Sequence, residues 1–126
     1  MSSKLLILES KTVGQSTQSG NTERCFSLLA AKKAAYVTVD GSDEAQKPVR
    51  DLLFGLSGIR GNYPQVFKIA VEKVVENGMD TDGVTFVGSW DDVEKMNEMN
   101  EIPPEVLEAN PDIVTLNQML SDVQKI

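Results

Sequence analysis

The order in which strand-like and helix-like apolar patterns follow one another constrains the fold of this chain most. Residues 5–8 form a short, continuous apolar run, which is typical of a buried central strand. Residues 10–21 are polar and contain two glycines, so they predict a loop. Residues 22–33 have apolar side chains at helical spacing, and Asn21 or Thr22 is a suitable cap. The chain therefore begins with a predicted strand, a loop and a helix.

The next segments predict a second strand and a second helix. Residues 36–39 are β-branched and aromatic, as in strands, and a polar connection over residues 40–47 follows. Pro48 fits the first turn of a helix, and Gly58 marks its end. A strand, a helix and a second strand in succession predict a right-handed parallel crossover.

The second half of the chain predicts a hairpin and then a helix. Residues 65–71 and 84–87 are strand-like and are separated by a long loop, which predicts an antiparallel pair. Ser89 and Asp92 resemble a capping box in which Asp replaces the usual Glu. The helix that they begin runs to about Asn100.

The C-terminal residues predict one further helix. Pro103-Pro104 ends the preceding helix, and Asn110-Pro111-Asp112 is a favourable helix start. The apolar stripe of this last helix comprises Ile113, Leu116, Leu120 and Val123. The order is β-α-β-α-β-β-α with a C-terminal helical extension, an α/β (α+β) class. At 126 residues the chain is expected to form a single domain, with its core at about 4–102 and a helical tail at about 103–126.

The charge and composition disfavour several classes of partner. Nineteen acidic and twelve basic residues give a net charge of −7, so nucleic acid and anionic membranes are not expected partners. The single cysteine permits no internal disulfide, and the absence of histidine removes the usual general base and the commonest zinc ligand. No metal site is predicted. Only four apolar residues follow the first few positions, too few for a signal peptide or a membrane span, so a cytoplasmic protein is expected.

Two motifs resemble the second half of a glutaredoxin. They are Asn62-Tyr63-Pro64-Gln65-Val66-Phe67 and Phe86-Val87-Gly88-Ser89-Trp90-Asp91-Asp92. The resemblance covers about residues 4–102 and implies a thioredoxin-like fold in which Pro64 is cis. It also implies that the backbone before this proline pairs with an extended peptide, usually glutathione. The N–H groups at the helix start after Gly88 would hold a carboxylate of that ligand.

The redox pair of glutaredoxins is absent from this chain. Counting back from Leu28-Leu29 places Ser19-Gly20-Asn21-Thr22 at its position, and aligning on Ser10-Lys11-Thr12 places residues 14–17 there. Neither segment contains a cysteine. In lacking the pair, the chain is similar to the Src-homology-3-binding glutamate-rich family.

Cys25 and Trp90 each allow two interpretations. Cys25 shares a predicted helix face with Leu28 and Leu29, which favours a buried, unreactive thiol over a nucleophile. No catalytic residue is therefore predicted. Trp90 either packs against the hairpin or contacts a ligand, and in the second case it would form an aromatic rim with Tyr63.

The favoured function is a redox-inactive, glutaredoxin-like module that binds a peptide or protein in the groove beside Pro64. No cofactor is predicted, and any glutathione binding is expected to be weak. The alternatives are a divergent glutathione-dependent oxidoreductase or transferase, and a structural subunit whose long hairpin makes the contact. Lys11 is the nearest candidate cation. The expected groove residues are Lys11, Ser19, Thr22, Tyr63, Pro64, Gly88, Ser89, Trp90, Asp91 and Asp92.

Overall fold

The computed structural model describes residues 2–11 and 16–125, except for the side chains of residues 16–19. These residues form four strands and five α-helices, with short 3₁₀ turns between some of them. The strands are β1 (Ser3–Glu9), β2 (Tyr36–Asp40), β3 (Gln65–Ala70) and β4 (Val84–Ser89). The helices are α1 (Ser16–Ala31), α2 (Lys47–Ser57), α3 (Trp90–Glu98), α4 (Pro104–Ala109) and α5 (Leu116–Met119).

The four strands form one mixed sheet in the order β2-β1-β3-β4. β1 and β2 are parallel, while β3 is antiparallel to both β1 and β4. The predicted parallel pairing of the first two strands and the predicted antiparallel hairpin are thus both confirmed. With these directions, the carboxyl ends of β1, β2 and β4 lie at the same edge of the sheet as the start of β3.

The core occupies both faces of the sheet. Leu5 and Ile7 of β1 pack with α1, α3 and the C-terminal residues, whereas Leu6 and Leu8 pack with α2. Because β1 is covered on both faces, its four central side chains are fully buried, which explains the unbroken apolar run in the sequence.

Helix α2 begins and ends where the sequence predicts. Pro48 lies in its first turn, where the missing N–H leaves no helical hydrogen bond unmade. Gly58 caps its end at φ 73°, a left-handed conformation that glycine adopts without a Cβ penalty, and its N–H donates to the Phe54 carbonyl. The helix buries Val49 and Leu53 against the sheet.

Helix α1 begins at Ser16, so the predicted loop was wrong over residues 16–21, and the predicted cap at Asn21 or Thr22 was wrong as well. Residues 12–15 of the predicted loop lie outside the described residues. The segment before Thr22 is rich in Ser, Thr and Gly, residues that favour caps and turns, and it contains no apolar stripe that would indicate a helix. Thr22 lies inside α1 and is buried. The change moves the amino end of the helix away from Thr22.

The C-terminal region also differs from the prediction. Pro104 begins α4 instead of only ending the helix before it, and no helix starts at Asn110. The last helix starts after Thr115, whose hydroxyl accepts a hydrogen bond from the Gln118 N–H in a capping box. Three of the four predicted stripe residues, Leu116, Leu120 and Val123, nevertheless pack in the core on the α1–α3 face.

Candidate functional site

The candidate site lies at the edge of the sheet where β1, β2 and β4 end. In open sheets of this kind, ligand sites commonly lie outside the carboxyl ends of the strands. We call this the strand-end edge, and it is formed by Glu9, Asp40, Tyr63-Pro64 and Gly88-Ser89. It brings together both sequence motifs that carry the resemblance.

Pairing within the sheet holds the Tyr63-Pro64 turn beside the start of α3. Gln65 pairs with Leu8 on one side and with Ser89 on the other. Its Nε2 donates hydrogen bonds to the Ile59 and Asn62 carbonyls at 3.0 and 2.8 Å, which secures the loop before the strand. The Tyr63-Pro64 peptide bond is cis, as the resemblance predicts, and that prediction is confirmed.

The start of α3 is closed by its own carboxylate. Asp92 Oδ2 accepts hydrogen bonds from the Ser89 N–H at 3.0 Å and from the Ser89 hydroxyl at 3.2 Å. The predicted interaction between these two residues is thus confirmed. A Cβ on Gly88 would lie 2.6 Å from the Asp92 Cβ, so only glycine permits this close approach. Asp91 adds a second exposed carboxylate in the first turn.

Tyr63 belongs to an aromatic and cationic group that is centred on Phe54. Its ring centroid is 6.2 Å from that of Phe54, and its hydroxyl oxygen lies 2.8 Å from the place where a Cβ on Gly41 would stand. The guanidinium groups of Arg50 and Arg60 lie 5.7 and 5.0 Å from the centroid of the Phe54 ring. Burial raises the pKa of Tyr63, and the charge of Arg50 opposes that change. We call Phe54, Tyr63, Arg50 and Arg60 the aromatic–arginine cluster.

The two arginines were missed by the sequence analysis, which named Lys11 as the nearest cation. Arg50 and Phe54 are four residues apart on the predicted helix, a spacing that places two side chains on one face. That spacing was the available indication. Arg60 lies two residues before the first motif, and its contact with the Phe54 ring required the folded chain.

Charged groups also meet at the ends of β1 and β2. Asp40 Oδ1 accepts hydrogen bonds from the Ser42 hydroxyl at 2.6 Å and from the Lys11 N–H at 3.1 Å. Burial alone would raise the pKa of Asp40, but the hydrogen bonds from Ser42 and Lys11 lower it below its ordinary value. Burial raises the pKa of the neighbouring Glu9, against the opposing charge of Lys11. Asp40 is therefore ionised at neutral pH, beside an exposed lysine.

Several predicted groove residues are not exposed at this edge. Trp90 is only 6% exposed and packs in the core with Leu5 and Cys25, so the predicted aromatic rim does not form. Pro64 and Gly88 are buried, and Thr22 is a buried residue inside α1. The side chain of Ser19 lies outside the described residues. The predicted residues with exposed or half-exposed side chains are Lys11, Tyr63, Ser89, Asp91 and Asp92.

The only thiol of the chain is buried and protonated. Cys25 has no exposed surface and packs with Leu29 and Trp90 in the core. Burial raises its pKa to about 12, so the thiolate is essentially unpopulated at neutral pH. The prediction that Cys25 is buried is confirmed.

The sequence matches no protein-family model, and no curated protein matches it. Within residues 2–11 and 16–125, no helix is both long and apolar enough to cross a membrane. Among the same residues, no three or more Cys, Asp or Glu side chains lie close enough together to hold a metal ion.

Proposed function

We propose that this chain is a thioredoxin-like binding module without redox activity, which holds an extended peptide or a segment of a partner protein at the strand-end edge. The strand order β2-β1-β3-β4, with a parallel first pair and an antiparallel hairpin, supports the thioredoxin-like fold. The two motifs that carry the glutaredoxin resemblance lie next to each other in that sheet, which supports the location of the site.

One observation carries the proposal: the only thiol lies in the core, whereas Tyr63 remains partly exposed beside the start of α3. A glutathione-dependent oxidoreductase requires an accessible thiolate that attacks a disulfide. Cys25 provides neither access nor ionisation. A binding role uses the surface that remains.

The charges of the edge indicate what kind of segment it prefers. Arg60, whose side chain is 68% exposed, belongs to the aromatic–arginine cluster, in which Arg50 and Arg60 share the single carboxylate of Asp51 and so keep a net positive charge. Asp91 and Asp92 lie at the start of α3. A segment laid between the cluster and the start of α3 meets positive charge on one side and negative charge on the other. We therefore expect a peptide with an acidic residue toward Arg60 and a basic residue toward Asp91.

Glutathione is expected to bind poorly. Where the resemblance places a ligand carboxylate, the Asp92 carboxylate already accepts the Ser89 N–H, and a second anion would be repelled. No thiol is available to form a mixed disulfide. The expected Kd is millimolar or weaker, which corresponds to only about −4 kcal/mol of binding free energy.

The test is selection of binders from a random peptide library, followed by chemical-shift mapping on the isotope-labelled protein. We expect the shifts to cluster at residues 60–64 and 88–92. Tyr63→Ala should weaken binding about tenfold or more, since aromatic anchors commonly contribute at least 1.4 kcal/mol. Val74→Ala, at an exposed position in the loop after β3, is the matched control and should bind as the native protein does.

Two outcomes would contradict the proposal. Selected peptides whose shifts avoid both segments would show that the edge is not the binding site. Micromolar glutathione binding, together with turnover in a glutathione-coupled disulfide assay that Cys25→Ala abolishes, would establish an enzyme instead.

A further inference from the structure

A second surface with apolar character lies on the outer side of α3. A pocket of about 430 Å³ opens between β4, α3 and the segment that follows α4. Its apolar lining comprises Val87, Met96, Met99, Ile113 and Val114. Such a volume falls within the about 300–1,000 Å³ typical of ligand pockets. Two of its five apolar residues are methionines, whose flexible side chains adapt to different partners.

The net charge of the chain is concentrated in residues 90–112, the segment that contributes most of the pocket lining. Residues 90–112 contain eight acidic residues and one basic residue, Lys95, which leaves eleven of each in the rest of the chain. This segment therefore carries the whole net charge of −7, and the remainder is neutral. The charged residues of the pocket wall itself are Asp92, Lys95 and Asp112, so the wall also carries a net negative charge.

The carboxylates of residues 90–112 form no ion pair with the described side chains. Within the described part of the chain, the ion pairs involve the carboxylates Glu44, Asp51, Asp80 and Asp122, and none comes from residues 90–112. Val114 is 48% exposed at the pocket and Val106 is 41% exposed on the adjoining α4. Asp92 and Asp112, neither of which forms an ion pair in the described part of the chain, thus line the same pocket as the accessible side chain of Val114.

We propose that this pocket docks a basic segment of a partner protein, in which apolar residues enter the pocket and flanking Lys or Arg side chains face the acidic residues. An amphipathic helix laid in a groove is a common form of such recognition. A second copy of the same face is disfavoured, because a symmetric contact would bring the two acidic segments together. A larger cavity lies between β2 and the loop after β3. Its lining contains two lysines and two glutamates, Lys4, Lys73, Glu72 and Glu76, so it has no net charge that would favour a basic or an acidic partner.

The test uses a short helical peptide made of leucine and lysine, with all leucines on one face and a fluorescent label. Val114→Asp distinguishes apolar docking from simple attraction of opposite charges. If the valine contacts the leucines, binding should weaken about fivefold or more, because part of a buried valine contact is lost. If only charge matters, the added carboxylate should tighten binding.

Two control variants are measured with the same peptide, and a third control changes the charge of the peptide. Val74→Asp adds the same charge at a 65% exposed valine outside the acidic segment, and it should leave the affinity unchanged. Val114→Ser removes the apolar contact without a new charge, and it should weaken binding in the same direction as Val114→Asp. A peptide with glutamate in place of lysine should not bind.

Chemical-shift mapping supplies the location. Shifts at residues 87, 93–99 and 112–114 would support the proposal, and tighter binding by Val114→Asp would overturn it. Shifts confined to residues 60–64 and 88–92 would also overturn it while supporting the strand-end edge, so the two proposals fail separately. Self-association of the free protein that Val114→Ser abolishes would assign the pocket to a second copy and likewise overturn the proposal.

Discussion

Raising the pH above about 9 should destabilise this protein through Cys25. The thiol has no exposed surface, and burial raises its pKa from the ordinary 9.0 to about 12. Between these two values the unfolded chain loses the thiol proton and the folded chain keeps it. The contribution of the protonated thiol to the free energy of unfolding is therefore fully present below pH 9, and it is lost as the pH rises toward 12.

The size of this loss follows from the pKa difference. Each pH unit above the unfolded pKa removes about 1.4 kcal/mol while the folded thiol remains protonated. From about pH 8 to about pH 10.5, Cys25 should thus lower the free energy of unfolding by about 2 kcal/mol. That is a large fraction of the roughly 5–15 kcal/mol that stabilises a typical domain.

The measurement is urea unfolding at both pH values, followed by the fluorescence of Trp90, which is buried in the same core cluster. Tyrosine and lysine side chains also titrate in this range, so the native protein is compared with Cys25→Ala. Cys25→Ala itself changes the free energy of unfolding at pH 8. This constant difference cancels, because each protein is compared with itself at the two pH values. The native protein should lose about 2 kcal/mol more than the variant between the two pH values.

Equal losses in the two proteins would refute the reasoning. They would mean that the folded thiol ionises as readily as the unfolded one, and hence that Cys25 is not in an apolar environment. Rapid labelling of the folded protein at neutral pH by a bulky thiol reagent would lead to the same conclusion.

Three further substitutions test the packing. Gly88→Ala should lower the free energy of unfolding by about 2 kcal/mol, because the new Cβ would lie 2.6 Å from the Asp92 Cβ and displace the cap. Gly55 is a helical position where an added Cβ would meet no neighbouring side chain within 4 Å, so Gly55→Ala should instead raise the free energy of unfolding by about 0.5–1 kcal/mol. Urea unfolding that gave both substitutions the same sign would contradict this reasoning. Lys68→Met removes bonds to Asp122 at 2.7 Å and to a backbone carbonyl, and should cost about 1–3 kcal/mol. Amide exchange at residues 119–123 should then accelerate, and unchanged exchange would show that this lysine does not hold the C-terminal segment.

Local signals in the sequence were sufficient for most of the sheet and for α2. The apolar run at residues 5–8, the proline and glycine that bound α2, and the interaction of Ser89 with Asp92 each depend on residues close together in the chain. Short-range rules of this kind describe hydrogen bonds and backbone preferences that form within one element, so they hold before the tertiary structure is known.

Two elements were mispredicted for different reasons. The amino-terminal turns of α1 are polar and lack an apolar stripe, so nothing in the segment distinguishes them from a loop. Thr115 and Gln118 form a capping box at the start of α5, and their spacing is a signal present in the sequence. The prediction followed the Asn110-Pro111 pattern instead. Competing local signals of similar strength are decided by packing.

The sequence by itself determined the order of most strands and helices, the absence of an internal disulfide, and the acidic charge of residues 90–112. Only the tertiary structure decided that Trp90 enters the core and not a groove, and that Arg50 and Arg60 join Tyr63 around Phe54. It likewise decided that residues of the acidic segment line a pocket together with apolar side chains from β4 and from the segment after α4. These arrangements bring together residues from different elements, and burial and electrostatics depend on distance in space, which spacing along the chain does not specify.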